Sequence, residues 1–140
     1  MSSAEPPLSV AQIEQMEAGR PVAVFVGTIT EVYEFKRNVG KNESDCQAII
    51  LTDAEGGKIR ASCWNHPDYT NKKGAKVRIV SAFEKGRAST TVKLNTYYDP
   101  PHVELQVNKA SVFLFAGSAP TNGATAAARQ GAPASAGKSD

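Results

Sequence analysis

The sequence has few of the features that mark membrane, secreted or metal-binding proteins. It contains no run of about 18 apolar residues, the length a membrane-spanning helix needs. Its first residues, MSSAEPPLSV, lack the basic start and apolar stretch of a secretory signal. Its two cysteines, Cys46 and Cys63, lie far apart in strand-like contexts, without the paired spacing of a zinc site. We therefore expect a soluble intracellular protein of the cytoplasm or nucleoid, with buried free thiols and no membrane association.

Catalytic signatures are also lacking. The sequence contains no nucleophile elbow, no phosphate-cradling glycine loop and no His-Glu metal motif. Its two histidines, His66 and His102, have no cysteine or carboxylate at metal spacing and are expected in solvated loops. Asp53 and Glu55 are expected to belong to a turn. The sequence thus predicts a protein that is not an enzyme and that uses no cofactor or metal.

Positive charge is present but unevenly distributed. Residues 36–93 carry 12 Lys and Arg against 6 Asp and Glu, although the net charge of the whole chain is only +2. Residues 1–35 carry one arginine and five glutamates. This asymmetry is typical of a nucleic-acid-binding face, and a solvated lysine-rich surface is the alternative. Charge alone does not separate the two.

Composition divides the 140 residues into three parts. After residue 116 the chain consists mainly of Gly, Ala, Pro, Ser and Thr, with no Val, Ile, Leu or aromatic residue, so no core can form there. We predict a disordered lead over residues 1–7, one domain over residues 8–116 and a disordered tail over residues 117–140. One domain also suits the length of the chain.

The domain is expected to begin with a short helix and to continue in strands. Ser9 suits the helix N-cap and Gly19 its end, Gly27 suits a bend or bulge, and residues 34–45 suit a loop. The first four predicted strands are 22–33, 46–52, 58–64 and 75–83, and residues 87–96 are the partner or continuation of the fourth. Residues 103–107 are the predicted fifth strand, and 111–115 close the sheet. Five or six short strands with one or two small helices predict an all-β protein, a five-stranded OB-fold barrel with a short N-terminal helix and a disordered C-terminal tail.

The predicted strand KIRASCW, residues 58–64, has two chemically different faces, because successive side chains of a strand point to opposite sides. One face carries Ile59, Ala61 and Cys63, and the other carries Lys58, Arg60, Ser62 and Trp64. The first face suits a core. Burial does not explain a tryptophan among cationic residues, so we predict that Trp64 stacks on a nucleic-acid base. The alternative is that Trp64 packs against a loop of its own barrel.

The run LTDAEGGKIRASCWN, residues 51–65, resembles the second and third strands of the OB-folds of replication protein A and of the simple single-OB single-stranded DNA-binding proteins. A Leu-x-Asp, a glycine turn, an Ile-Arg alternation and an aromatic residue followed by Asn or Asp recur there in this order. The resemblance extends over about residues 9–115. It implies that Trp64 is the strand-three aromatic that stacks on a base, with Arg60 beside it facing the ligand.

Two departures limit what this resemblance implies. The link that follows Trp64 is shorter than the helical link of replication protein A and closer to that of the simple proteins. The chain ends in GKSD, without the acidic tip by which bacterial single-stranded DNA-binding proteins recruit partners.

The remaining predicted contacts come from the loop after the first strand, from the loop that holds the two tyrosines, and from Lys93 in the segment 87–96. The complete set of predicted nucleic-acid-binding residues is Lys36, Arg37, Lys41, Lys58, Arg60, Ser62, Trp64, Lys93, Tyr97 and Tyr98. The two tyrosines are candidates for a second stacking position, and the alternative is that they stiffen a turn.

The predicted function is largely sequence-independent binding of single-stranded DNA, by base stacking and phosphate contacts, in replication, recombination or repair. An RNA-binding or protein-interaction OB module is the alternative. Homo-oligomerisation stays open, since one OB-fold covers only about 4–16 nucleotides, and the sequence identifies no protein partner.

Overall fold

The structure is a computed structural model, and it describes residues 6–39, 44–97, 101–116 and 120–122. A single short helix, α1 (Val10–Glu14), precedes the strands. The strands are β1 (Val24–Val32), β2 (Lys36–Val39), β3 (Ser44–Thr52), β4 (Lys58–Trp64), β5 (Lys76–Val80), β6 (Phe83–Glu84), β7 (Arg87–Ala88), β8 (Thr90–Asn95), β9 (His102–Val107) and β10 (Val112–Phe115). One turn of 3-10 helix (Thr70–Lys72) lies between β4 and β5. No helix in the described part of the chain is long and apolar enough to cross a membrane.

The barrel is built from five strands, two of which are interrupted. β5 and β8 run in the same direction along β1 and the residues before it, since Val24 pairs with Val80 and Pro21 with Thr91. β9 and β10 likewise form one strand with a break. β9 pairs antiparallel with β8, and β10 pairs antiparallel with β5. In the barrel, β5 and β8 therefore count as one interrupted strand, and β9 and β10 count as another.

The order of these strands around the barrel identifies the fold. β1 pairs with β3, β3 with β4, β4 in parallel with β9, β9 with β8, and the β5–β8 strand returns to β1. The barrel is thus a five-stranded Greek-key OB-fold. The predicted fold class, an all-β OB-fold barrel with a short N-terminal helix, is confirmed.

Buried hydroxyl groups join the two interrupted strands where they break. The Thr90 and Ser111 hydroxyls lie 2.7 Å apart, and Ser111 donates to Ser89 Oγ at 2.9 Å. Ser81 Oγ accepts from the backbone N–H groups of Ser89 and Thr90 at 3.0 and 3.1 Å. These bonds satisfy polar groups that the breaks would otherwise leave buried and unpaired.

The core confirms the alternation that the sequence indicates for β4. Ile59, Ala61 and Cys63 are 3%, 0% and 1% exposed, whereas Trp64 is only half-buried. The largest fully buried side chains are Tyr69, Phe25, Phe113, Ile13, Ile29 and Ile49. The register of β4 therefore places Trp64 on the outside of the barrel.

Asp53 attaches α1 to the turn between β3 and β4. Its Oδ2 accepts from the Val10 N–H at 2.7 Å, and its Oδ1 accepts from Gly57 and Glu55 at 2.8 and 3.0 Å. These backbone hydrogen bonds, with that of Val10 the strongest, hold the pKa of Asp53 below its usual value. The expected turn is confirmed, and Ser9 caps α1 as predicted.

We expect Asp53→Ala to lower the free energy of unfolding by about 2 kcal/mol, because hydrogen bonds to an ionised group are lost from three backbone donors. Urea unfolding measures this change. Glu55→Ala is the matched control, since the exposed Glu55 side chain lies in the same turn. Equal stability of the two variants would contradict the role of Asp53.

Some local predictions are wrong. Gly27 pairs regularly with Val77, and the bulge of β1 lies between Ile29 and Glu31. Gly27 is needed for a different reason: a Cβ there would lie 2.9 Å from a ring carbon of Phe25. Residues 36–39, predicted as loop, form β2, and α1 ends well before Gly19.

Residues 120–122 lie inside the range predicted as tail, and they contact the barrel. The Phe113 N–H donates to the Thr121 carbonyl at 2.7 Å, and the Thr121 N–H donates back at 2.9 Å. Thr121 is only 8% exposed. The rest of the predicted tail and residues 1–5 of the predicted lead lie outside the described residues, so the predicted domain limits stay predictions.

Candidate nucleic-acid interface

Four neighbouring strands, β3, β4, β9 and β8, present their outward side chains on one surface, which we call the outer face. β4 contributes all four members of its cationic side, Lys58, Arg60, Ser62 and Trp64. Cys46 and Ile50 of β3 lie opposite Trp64 and Arg60, and Lys93 of β8 lies opposite Glu104 of β9. The fold therefore brings residues from separate parts of the sequence to one side of the barrel.

Trp64 lies on the outer face, and its ring has no aromatic neighbour among the residues that the structure describes. Among the described residues, no ring contact and no hydrogen bond involves its indole. Its strand partner Cys46 is half-buried, not fully buried as expected, and burial raises the pKa of the Cys46 thiol. A half-buried indole that stacks on nothing in the protein is available to stack on a planar ligand.

Arg60 is held on two sides at the centre of the outer face. Its Nε lies 3.7 Å from Glu104 Oε1, and its guanidinium carbon lies 5.4 Å from the centre of the Tyr33 ring. The second distance is within the range of a cation–π contact. Arg60 thus carries both an ion pair and an aromatic neighbour, Tyr33, which the sequence did not single out.

Glu104 is a buried carboxylate in the midst of this cationic face, only 3% exposed. Ser62 Oγ donates to its Oε2 at 3.0 Å, and Asn95 Nδ2 donates to its Oε1 at 3.0 Å. The Ser62 hydroxyl, predicted as a ligand contact, is therefore committed to Glu104 inside the protein. A contact of Ser62 with nucleic acid stays a prediction.

A groove of about 600 Å³ runs along the outer face beside Arg60. Tyr33 and Ile50 provide apolar surface in this groove, Lys58 and His102 provide polar groups, and Glu14 and Glu104 provide two carboxylates. Tyr33 is 48% exposed, so its ring is available to a ligand as well as to Arg60. The groove combines a flat aromatic surface with cationic groups.

The other predicted residues are distributed around this face. Lys36 of β2 pairs with Cys46, next to Trp64, and the Arg37 guanidinium lies 4.9 Å from the centre of the Phe35 ring. Lys93 is exposed on β8, and Tyr97, which follows β8, is 93% exposed. Lys41 and Tyr98 lie outside the described residues.

A short hairpin, β6–β7, directly precedes β8, one of the strands of the outer face. Its turn has positive φ at Lys85 (53°) and Gly86 (78°), as a two-residue type I′ turn requires. It leaves the barrel next to Ser89, whose carbonyl accepts a hydrogen bond from the Asn108 N–H. Asn108 directly follows Val107, which pairs with Cys63 of β4. Its base is therefore two strands away from Trp64.

The hairpin carries an exposed aromatic ring that sequence reasoning missed. Phe83 is 52% exposed, and the neighbouring Lys85 and Arg87 are also exposed. The sequence assigned Phe83 to the end of a strand, where alternation predicts a core position. The Lys85-Gly86 pair was the signal that a turn follows it at once.

His66 is not the solvated loop residue that the sequence suggested. It is 4% exposed, with Nε2 2.7 Å from the Asn108 carbonyl and Nδ1 2.8 Å from the Tyr69 hydroxyl. A carbonyl accepts only, so Nε2 carries the proton and Nδ1 accepts from Tyr69. Burial lowers the pKa of His66 to about 4. His102, by contrast, is exposed.

Within the described ranges, no three His, Cys, Asp or Glu side chains form a group that could hold a metal ion. The Glu104 carboxylate of the outer face is occupied by protein donors. The arrangement can thus offer stacking surfaces and cations to a ligand.

Comparison with known proteins adds a structural likeness. No protein-family model and no curated protein matched the chain. Among solved structures, the chain is similar to the OB domain of Ta0387 from Thermoplasma acidophilum, determined by NMR in solution. The two share 15% sequence identity with a TM-score of 0.49, over 80% of this chain and 88% of that one. The strand order described above is what assigns the OB-fold to this chain.

Proposed function

We propose that this protein binds single-stranded DNA on the outer face, largely without sequence preference, and that it is a binding protein without catalytic activity. The observation that carries the proposal is the position of Trp64. It is half-buried, has no aromatic partner among the described residues, and shares its strand face with Lys58 and Arg60. Stacking platforms beside cations are what single-strand binding requires.

Bases and phosphates have separate places on this surface. Trp64, Tyr33 and the hairpin residue Phe83 offer partly exposed rings to the bases. Lys36, Lys58 and Lys93 are exposed, and no ion pair within the described part of the chain engages them. We assign the phosphate contacts to these lysines.

Preference for single strands over duplex follows from the stacking surfaces. Paired bases are already stacked on each other and cannot lie flat on Trp64 or Tyr33 without unpairing. A blunt duplex should therefore compete poorly with an oligothymidylate for the protein. Equal or tighter binding of the duplex would overturn the proposal. Matched DNA and RNA oligonucleotides in the same assay determine which sugar is preferred, and tighter RNA binding would assign the face to RNA.

We expect the affinity for oligothymidylate to fall steeply with salt, with a slope of about −0.7 per phosphate contacted. Replacing Lys36, Lys58 and Lys93 together by Ala should make the logarithmic slope less steep by about 2, because three counterion-releasing contacts are lost. Fluorescence titration at several salt concentrations measures this slope. Lys76→Ala on β5, outside the outer face, is the control and should leave the slope unchanged. An unchanged slope in the triple variant would place the phosphate path elsewhere.

A further inference from the structure

The guanidinium of Arg60 has one engaged edge and one open edge. Its Nε is buried, faces Glu104 and makes no hydrogen bond. The side chain as a whole is nevertheless 39% exposed, so the exposure belongs to other atoms. Neither terminal nitrogen is among the buried unsatisfied atoms, and no hydrogen bond to them occurs within the described residues. The N–H groups of the two terminal nitrogens are therefore left for a ligand in the groove.

Glu104 determines what kind of ligand suits this open edge. Its carboxylate is fixed by Ser62 and Asn95, so it stays beside Arg60 when a ligand arrives. The pair carries no net charge, and a phosphate drawn to Arg60 would also approach the carboxylate. Lys58 and Lys93 nearby form no ion pair among the described residues, and they are the better phosphate contacts.

The surroundings of Arg60 favour a base instead. Tyr33 lies against the Arg60 guanidinium. Ile50 of β3 is the direct strand partner of Arg60 on the outer face. Both residues line the same groove of about 600 Å³. A flat base that enters the groove thus finds a ring to stack on, an apolar side chain beside it and two N–H donors at its edge.

We propose that Arg60 recognises guanine at one position of the bound single strand, and that Glu104 is the residue that positions it for this contact. The inference rests on the proposed function and adds one preferred base to an otherwise sequence-tolerant site. The paired donors of an arginine match the O6 and N7 acceptors of guanine. Adenine presents one acceptor and one donor on that edge, and the pyrimidines lack N7, so neither offers the same pair.

The test compares oligothymidylates in which one central thymine is replaced by guanine, hypoxanthine, 7-deazaguanine or adenine. Hypoxanthine keeps O6 and N7, whereas 7-deazaguanine keeps O6 and loses N7. We expect guanine and hypoxanthine to raise the affinity about fivefold or more over thymine, and 7-deazaguanine to lose most of that gain. Equal affinity for guanine and 7-deazaguanine would overturn the inference.

Three variants assign the preference to its residues. Arg60→Lys keeps the charge but loses the paired donors, so the affinity ratio of guanine to 7-deazaguanine should fall towards one. Arg78→Lys on β5, outside the outer face, is the matched control and should keep the ratio of the unmodified protein. A guanine preference that persists in Arg60→Lys would contradict the assignment.

Glu104→Gln separates positioning from a structural role. Loss of the carboxylate charge releases Arg60 to contact phosphate, so guanine discrimination should fall while the salt slope on oligothymidylate steepens by about 0.7. A variant that weakens all oligonucleotides without steepening the slope would show that Glu104 only supports the fold. Failure of the unmodified protein to bind any single strand would reject the proposed function, whereas tight binding without guanine preference would reject this inference alone.

Discussion

Cys63→Asp is expected to unfold the domain, whereas Trp64→Ala, one residue further along the same strand, is expected to leave it folded. Cys63 is 1% exposed, and burial raises the pKa of its thiol far above the usual value. A carboxylate at this position has no partner to neutralise it, since no Lys or Arg is buried in the described part of the chain. Its cost of more than about 5 kcal/mol is comparable to the whole stability of a small domain. Thermal melting followed by circular dichroism measures the difference between the two variants.

Trp64→Ala should instead weaken binding of single-stranded DNA by about 1–3 kcal/mol, the value of one base stack. The fluorescence of the unmodified protein should be quenched on binding, because Trp64 is the only tryptophan in the chain. Trp64→Phe keeps a smaller ring and should retain part of the affinity. A Trp64→Ala protein that melts early, beside a stable Cys63→Asp protein, would reverse the register of β4 and remove the main support for the proposed site.

The parts of the fold that the sequence predicted are those with a complete local signal. β4 begins and ends as predicted because its polar and apolar residues alternate from residue 58 to 63, with Trp64 on the polar side. The N-cap of α1 is visible in the sequence because Ser9 and Gln12 form a capping box within one turn. Neither feature depends on distant partners.

The parts that failed depend on such partners. β2 is a strand only because β3 pairs with it, and Gly27 is required only because the Phe25 ring and the Thr52 carbonyl approach it. The buried ring of His66 is hydrogen-bonded to the carbonyl of Asn108, which lies 42 residues further along the chain. Local propensity carries no information on contacts of this range.

The candidate site also has one part with a local sequence signal and another part that depends on distant strands. Alternation placed Lys58, Arg60 and Trp64 on one face without knowledge of the neighbouring strands. The carboxylate of Glu104 enters that face through the pairing of β9 with β4 and β8, in which Ala61 lies beside Leu105. From sequence alone, a glutamate in a predicted fifth strand has no visible connection to Arg60. Register between distant strands, not residue type, creates the centre of the site.

The stability of the domain is expected to fall between pH 6.5 and pH 4, the interval that separates the ordinary and the folded pKa of His66. In the folded protein, desolvation by burial lowers this pKa to about 4, so the ring stays neutral. The unfolded chain takes up the proton first as the pH falls. The stabilisation is therefore complete above pH 6.5 and is lost as the pH approaches 4. Its size is about 3 kcal/mol, at about 1.4 kcal/mol for each pKa unit.

Urea unfolding at a series of pH values measures this loss, and two histidine variants assign it. His66→Gln cannot be protonated, so its stability should change little between pH 6.5 and pH 4, although it is lower at neutral pH because the packing around the ring is lost. His102→Gln, at the exposed histidine, should keep the pH dependence of the unmodified protein. The lowered pKa values of Asp53 and Asp68 act mainly below their ordinary value of 3.8 and, screened by solvent, contribute at most about 0.3 kcal/mol each by pH 4. An undiminished loss of stability in His66→Gln would therefore show that another group, not His66, takes up the proton on unfolding.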